Sequence, residues 1–175
     1  MRTKIIEILA NSGVAKTKIE AIAQELNTLF LANQKSGESH PPKEENGVMH
    51  IWCSRHQAYH PADIMVPNKS KDCGYANYCK PAQRKWEWMH KHSGLLGSVC
   101  GRLYSEEKNK SAKQIWNLSQ TLKETKNNPA TFNNISTSDS IETVVDKCIA
   151  EFYTEDIVKL IPEDMHKMLG LAKAK

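Results

Sequence analysis

Three of the chain's five cysteines, Cys53, Cys73 and Cys79, fall within one short stretch, and His56 follows the first of them after two residues. A Cys-x2-His gap lets one tight turn aim two side chains at a single ion, and zinc favours tetrahedral sets of thiolate and imidazole. The full spacing is C-x2-H-x16-C-x5-C. Cys79 stands two residues before Pro81, and proline is tolerated in the first turn of a helix. Cys79 is therefore expected at a helix N-terminus, where the helix dipole favours a thiolate. Cys73 supplies the fourth ligand, with Gly74 beside it to turn the loop back; His60 is the alternative in that place. Five unevenly spaced cysteines do not make a disulfide framework and fit metal ligands or thiols in a reducing compartment. Cys100 and Cys148 stand apart and read as core residues.

Four protein ligands close a zinc site and leave no position for water, so the expected cofactor is a structural Zn2+. The surroundings of the cluster, residues 48–92, hold only a small apolar set: Trp52, Ile64, Met65, Val66, Tyr78, Trp86, Trp88 and Met89. A unit of about 45 residues rarely folds on such a core alone. Binding of a structural zinc contributes on the order of 10 kcal/mol.

Composition shifts divide the chain. Residues 1–33 carry two short helical patterns broken at Ser12-Gly13 and read as an N-terminal helical hairpin, an arm able to support oligomerisation. Residues 34–47, polar and holding Pro41-Pro42, read as a linker. Residues 48–125 read as the zinc module with basic helices: a β-hairpin of 48–52 with 64–66, a helix from Cys79 interrupted at Gly94, and a further helix near Ser111. Residues 126–138 read as a second linker, and 139–175 as acidic C-terminal helices with Asp139 and Glu142 as a capping box. A last helix is expected from Pro162 to near Gly170. The fold class is mainly α with a small β-hairpin zinc module, a small α+β protein. No apolar run approaches the roughly 18 residues of a membrane span, and the start, interrupted by Glu7, reads as a helix and not a signal peptide. The expected location is the cytoplasm.

The stretch from Trp52 to Trp86 resembles small zinc modules of phage proteins, notably those beside HNH and recombination endonuclease VII-like nucleases. Cys53, the run Asn68-Lys69-Ser70-Lys71-Asp72, Gly74 and Tyr78-Cys79-Lys80 carry the resemblance. The sequence departs from that pattern at His56 and at Ala82, where such modules have cysteine. The resemblance covers about 35 residues and implies a treble-clef-like zinc fold and a phage origin.

Charge is segregated. Lys80 to Lys113 holds eight basic residues against three acidic ones, a net +5, while Asp139 to Asp164 holds eight acidic against two basic, a net −6. Lys69, Lys71, Lys80, Arg84 and Lys85 could neutralise phosphates. Trp86 and Trp88 lie two positions apart and cannot share a helix face, so Trp88 is a candidate to meet a base. The expected function is non-catalytic, nucleic-acid-binding regulation or genome handling. One alternative is an adaptor that redirects host machinery such as RNA polymerase, using the acidic helices. A second is a degenerate HNH or endonuclease VII-like nuclease, for which His60, Asp63, Asn68, Asn77, His90 and His92 are the candidate residues; the aspartates of such sites are missing near His90, which argues against catalysis.

Overall fold

The computed structural model describes residues 40–171. The N-terminal hairpin of 1–33 and residues 34–39 of the first linker lie outside the described residues.

Strands β1 (Lys43–Glu45) and β2 (Val48–Cys53) pair antiparallel. The link between them is Asn46-Gly47, with φ of 54° and 75°, the pair of positive φ values that a two-residue type I′ turn requires. Strand β3 (Ala58–Pro61) pairs with the other edge of β2, with Ile51 opposite His60 and Cys53 opposite Ala58. A second, two-stranded sheet joins β4 (Met65–Pro67) to β5 (Tyr75–Cys79), with Met65 opposite Cys79.

The pairing differs from the expected hairpin of 48–52 with 64–66. The Cys53-x2-His56 turn folds β2 straight onto β3 and uses that edge. The 64–66 run finds its partner beyond the Asn68–Gly74 loop instead. That loop is closed by its own hydrogen bonds: Asn68 N donates to Gly74 O at 2.8 Å and Gly74 N to Lys71 O at 2.8 Å. Asn68 Oδ1 accepts from Ser70 N at 3.0 Å. Gly74, at φ 77°, occupies the left-handed region that glycine enters without a Cβ penalty.

Helix α1 (Lys80–Ser105) begins directly at Cys79. It runs unbroken through Gly94, where a break was expected. Each interior glycine costs about 1 kcal/mol relative to alanine. That cost is outweighed by packing on α2 (Asn109–Thr125), since Leu96, Val99 and Leu103 share one buried cluster with Ala112, Ile115 and Leu122. Two polar contacts fix the antiparallel register: Ser119 Oγ donates to Ser93 O at 2.7 Å, and Cys100 Sγ to Ala112 O at 3.4 Å.

The polar stretch 126–138 is pinned rather than free. Asn128 caps the short 3-10 turn Pro129–Phe132. Phe132 is fully buried among Ile51, Met65 and Ala82, while Ile135 is buried in the helical cluster. Helix α3 (Ile141–Phe152) is capped by Ser140, whose side chain accepts from Thr143 N. Asp139, the expected cap, instead accepts from Ser136 N and Lys147 Nζ. Helix α4 (Glu155–Leu160) follows. After Pro162 the chain makes only the 3-10 turn Glu163–Met165 and further turns to Gly170.

The result is an α+β unit with two apolar clusters. The larger joins α1, α2, α3 and the C-terminal turns. The smaller lies between the strands, the first turn of α1 and Phe132. No helix among the described residues is long and apolar enough to cross a membrane.

Candidate metal centre

At the smaller cluster four donor side chains converge on one point. Cys53 ends β2, His56 sits in the β2–β3 turn, His60 lies on β3, and Cys79 ends β5 and caps α1. Their ligand atoms all lie within 4.8 Å of one another. His56 Nδ1 is 3.1 Å from His60 Nε2, 3.4 Å from Cys79 Sγ and 3.9 Å from Cys53 Sγ. A tetrahedral zinc with ordinary bond lengths has edges of about 3.3 Å between nitrogens and about 3.5 Å between nitrogen and sulfur. The observed separations bracket those edges, so the set fits a Cys2His2 metal site.

Strand geometry explains why His60 belongs. Ile51 and Cys53 are two apart on β2 and share a face, and both are buried. Directly opposed residues of an antiparallel pair also share a face. His60 faces Ile51 across the ladder, so its ring projects on the side of Cys53. Cys73, expected as the fourth ligand, sits in the Asn68–Gly74 loop outside this set. Its Sγ donates to Tyr75 O at 3.4 Å. The loop that Gly74 closes turns this thiol onto the adjacent backbone.

The electrostatics suit a cation. Cys53 and Cys79 are both fully buried. The Cys53 thiol is held well below its ordinary pKa, first by the hydrogen bond from Cys79 and then by contacts from His56. The Cys79 thiol is pushed up, first by the same bond and then by burial. A metal ion binds cysteine as the thiolate and would displace any thiol proton there. The Ala82 N–H, in the first turn of α1, bonds Cys79 sulfur and favours its thiolate. Burial lowers the pKa of His60 and favours the neutral, ligating imidazole. Arg55 stands over the Tyr78 and Trp86 rings at 4.7 and 5.3 Å. It donates to Ala82 O and Gln83 Oε1, both at 3.1 Å. This guanidinium ties the ligand-bearing turn to the start of α1.

His56 Nε2 is buried without a hydrogen-bond partner among the described residues. The ring is therefore oriented by what Nδ1 meets, which is the other three donor atoms.

The expected nucleic-acid residues divide. Lys69 and Lys71 are exposed on the loop, and Lys80 and Arg84 are exposed at the start of α1. Lys80 Nζ donates to Asp63 O at 2.7 Å, and Arg84 lies 4.0 Å from Glu87. Lys85 is fully buried and bonds Glu151 Oε2 at 2.5 Å and Asn134 Oδ1 at 2.8 Å, so its charge is already spent inside the protein. Trp88 is only 7% exposed; it stacks on His92 at 3.9 Å and meets Phe152 and Tyr153. Neither Lys85 nor Trp88 can contact nucleic acid in this fold. Trp86 is half-buried, stacks on His90 and donates to Asn127 Oδ1 at 3.1 Å. Both tryptophans of α1 are thus engaged, Trp86 by the chain after α2 and Trp88 by the end of α3. The exposed tryptophan is Trp116 on α2, at 46%. The lysines around it, Lys113 and Lys123, are the sequence signal that marks this position.

The candidate nuclease histidines serve other contacts. His90 Nδ1 lies 3.2 Å from Lys126 Nζ. His92 is buried with Nδ1 2.8 Å from Tyr153 Oη, and burial pushes its pKa down to about 4.

No family model, curated protein or solved structure matches the chain.

Proposed function

We propose that this protein is a zinc-stabilised, non-catalytic nucleic-acid-binding protein of the phage type, acting in regulation or genome handling. The observation that carries the metal part is the convergence of Cys53, His56, His60 and Cys79 at tetrahedral spacing. All four positions are then filled by protein, so the zinc would be structural. Its work would be mechanical. It would tie the β2–β3 turn to the end of β5 and so hold the Asn68–Gly74 loop beside the first turn of α1. Ligands in a turn, on a hairpin and at a helix N-terminus are also the elements of a treble-clef-like module, which supports the resemblance drawn from the sequence.

Nucleic acid is the partner that the chemistry supports best. The loop and helix start beside the zinc ligands bear exposed Lys69, Lys71, Lys80 and Arg84, a cationic surface that a phosphate backbone would satisfy. A gel shift across a salt series tests this. Binding that weakens linearly in log–log form with salt is expected, and absence of binding at low salt overturns the reading.

A further inference from the structure

Helix α2 has two contrasting faces. Ala112, Ile115, Ser119 and Leu122 are buried. Flanking that buried face, Lys113, Trp116, Gln120 and Lys123 recur three or four residues apart and form one stripe. Lys110 adds a further charge, and Lys126 follows just past the helix end; Glu124 is the one acidic residue of the helix, against its three lysines. Trp116 is 46% exposed, and Lys123 Nζ lies 5.5 Å from its ring centroid. Lys126 Nζ lies 5.4 Å from the Trp86 ring, so the stripe ends beside the metal-bearing end of α1. From Trp116 to Lys126 the helix advances about 15 Å.

An exposed indole set among lysines has few good partners. A second copy of this chain or an apolar partner helix would need several apolar side chains in the stripe, and here Trp116 is alone among lysines and glutamine. A duplex offers phosphates but keeps its bases stacked inside. A single strand offers both features at once: an open base face for the indole and phosphates for the lysines. We infer that the outer stripe of α2 binds single-stranded nucleic acid, with Trp116 stacking on a base and Lys113 and Lys123 meeting the flanking phosphates. This rests on the nucleic-acid reading above and adds the element and the strand preference.

The test uses the zinc-loaded full chain with two fluorescent probes, a deoxythymidine oligomer of about 15 nucleotides and a duplex of the same length. Anisotropy titrations at low salt compare the wild type with Trp116→Ala, Trp116→Phe and a Lys113→Gln/Lys123→Gln pair. Trp116→Ala is expected to weaken single-strand binding about tenfold, with Trp116→Phe between it and the wild type and duplex binding unchanged. The lysine pair is expected to reduce the single-strand salt slope by about 1.4. An unchanged melting temperature for Trp116→Ala separates a lost contact from a lost fold. The inference is overturned if Trp116→Ala binds the oligomer like the wild type, or loses duplex binding equally, while the wild type binds nucleic acid. It also falls if the wild type binds only the duplex, which leaves the broader reading standing. Binding to neither probe overturns both.

Discussion

Replacing His60 with alanine separates the metal set read from spacing from the one that the fold assembles. The substitution removes one of four donors while leaving Cys53, His56 and Cys79 in place. Structural zinc sites bind with about 10–16 kcal/mol, so one of four ligands accounts for on the order of 3 kcal/mol, or roughly 100-fold in affinity. Cys73→Ser is the matched control. The Cys73 thiol makes one hydrogen bond, to Tyr75 O, and a serine hydroxyl can make the same bond, so the expected cost is under about 1 kcal/mol. Competition with a chromophoric chelator measures both variants. The expected result is a zinc affinity about 100-fold weaker for His60→Ala and unchanged for Cys73→Ser. The reasoning is refuted if Cys73→Ser loses zinc and His60→Ala keeps it.

Three further outcomes follow from the packing. Glu151→Ala strands the buried Lys85 ammonium with Asn134 as its remaining partner and is expected to cost about 3 kcal/mol in chemical denaturation; Lys85→Met, which leaves only the part-exposed Glu151 to be rehydrated, should cost less, and the reverse order contradicts the account. Phe132→Ala, in a stretch that looks like a linker, should cost about 3–5 kcal/mol because the ring is fully buried; a loss below about 1 kcal/mol would show that the stretch is not packed. His92 is neutral and buried, with its pKa lowered first by desolvation and then by Lys91 to about 4. The unfolded chain therefore takes up its proton first as the pH falls, and stability drops between about pH 6.5 and pH 4 by about 3 kcal/mol. Denaturation of His92→Gln across that range should show a shallower pH slope than the wild type, and parallel slopes would rule out this assignment.

What could be read from the sequence was set by local signals. Cys53, His56 and Cys79 announce themselves by residue type, turn spacing and the proline after Cys79. His60 does not, because its place depends on strand register: only the pairing of Ile51 with His60 shows that the ring shares the Cys53 face. The hairpin at Asn46-Gly47 was legible, since that dipeptide favours the positive φ values found there. Its surroundings are polar, and polarity alone reads as a linker. Gly94 shows the opposite failure. A local breaker signal lost to the long-range packing of α1 on α2. Lys85 and Trp88 were misplaced for a related reason: a charge and an indole read as surface, but Glu151, Asn134, His92 and Tyr153 gather around them from distant parts of the chain.

X-ray absorption at the zinc edge of the purified full chain tests the central claim most directly. The account predicts one zinc per chain with two sulfur neighbours at about 2.3 Å and two nitrogen neighbours at about 2.0 Å. A shell of three sulfurs and one nitrogen would return Cys73 to the site in place of His60, and a protein that folds and holds no zinc would contradict the account.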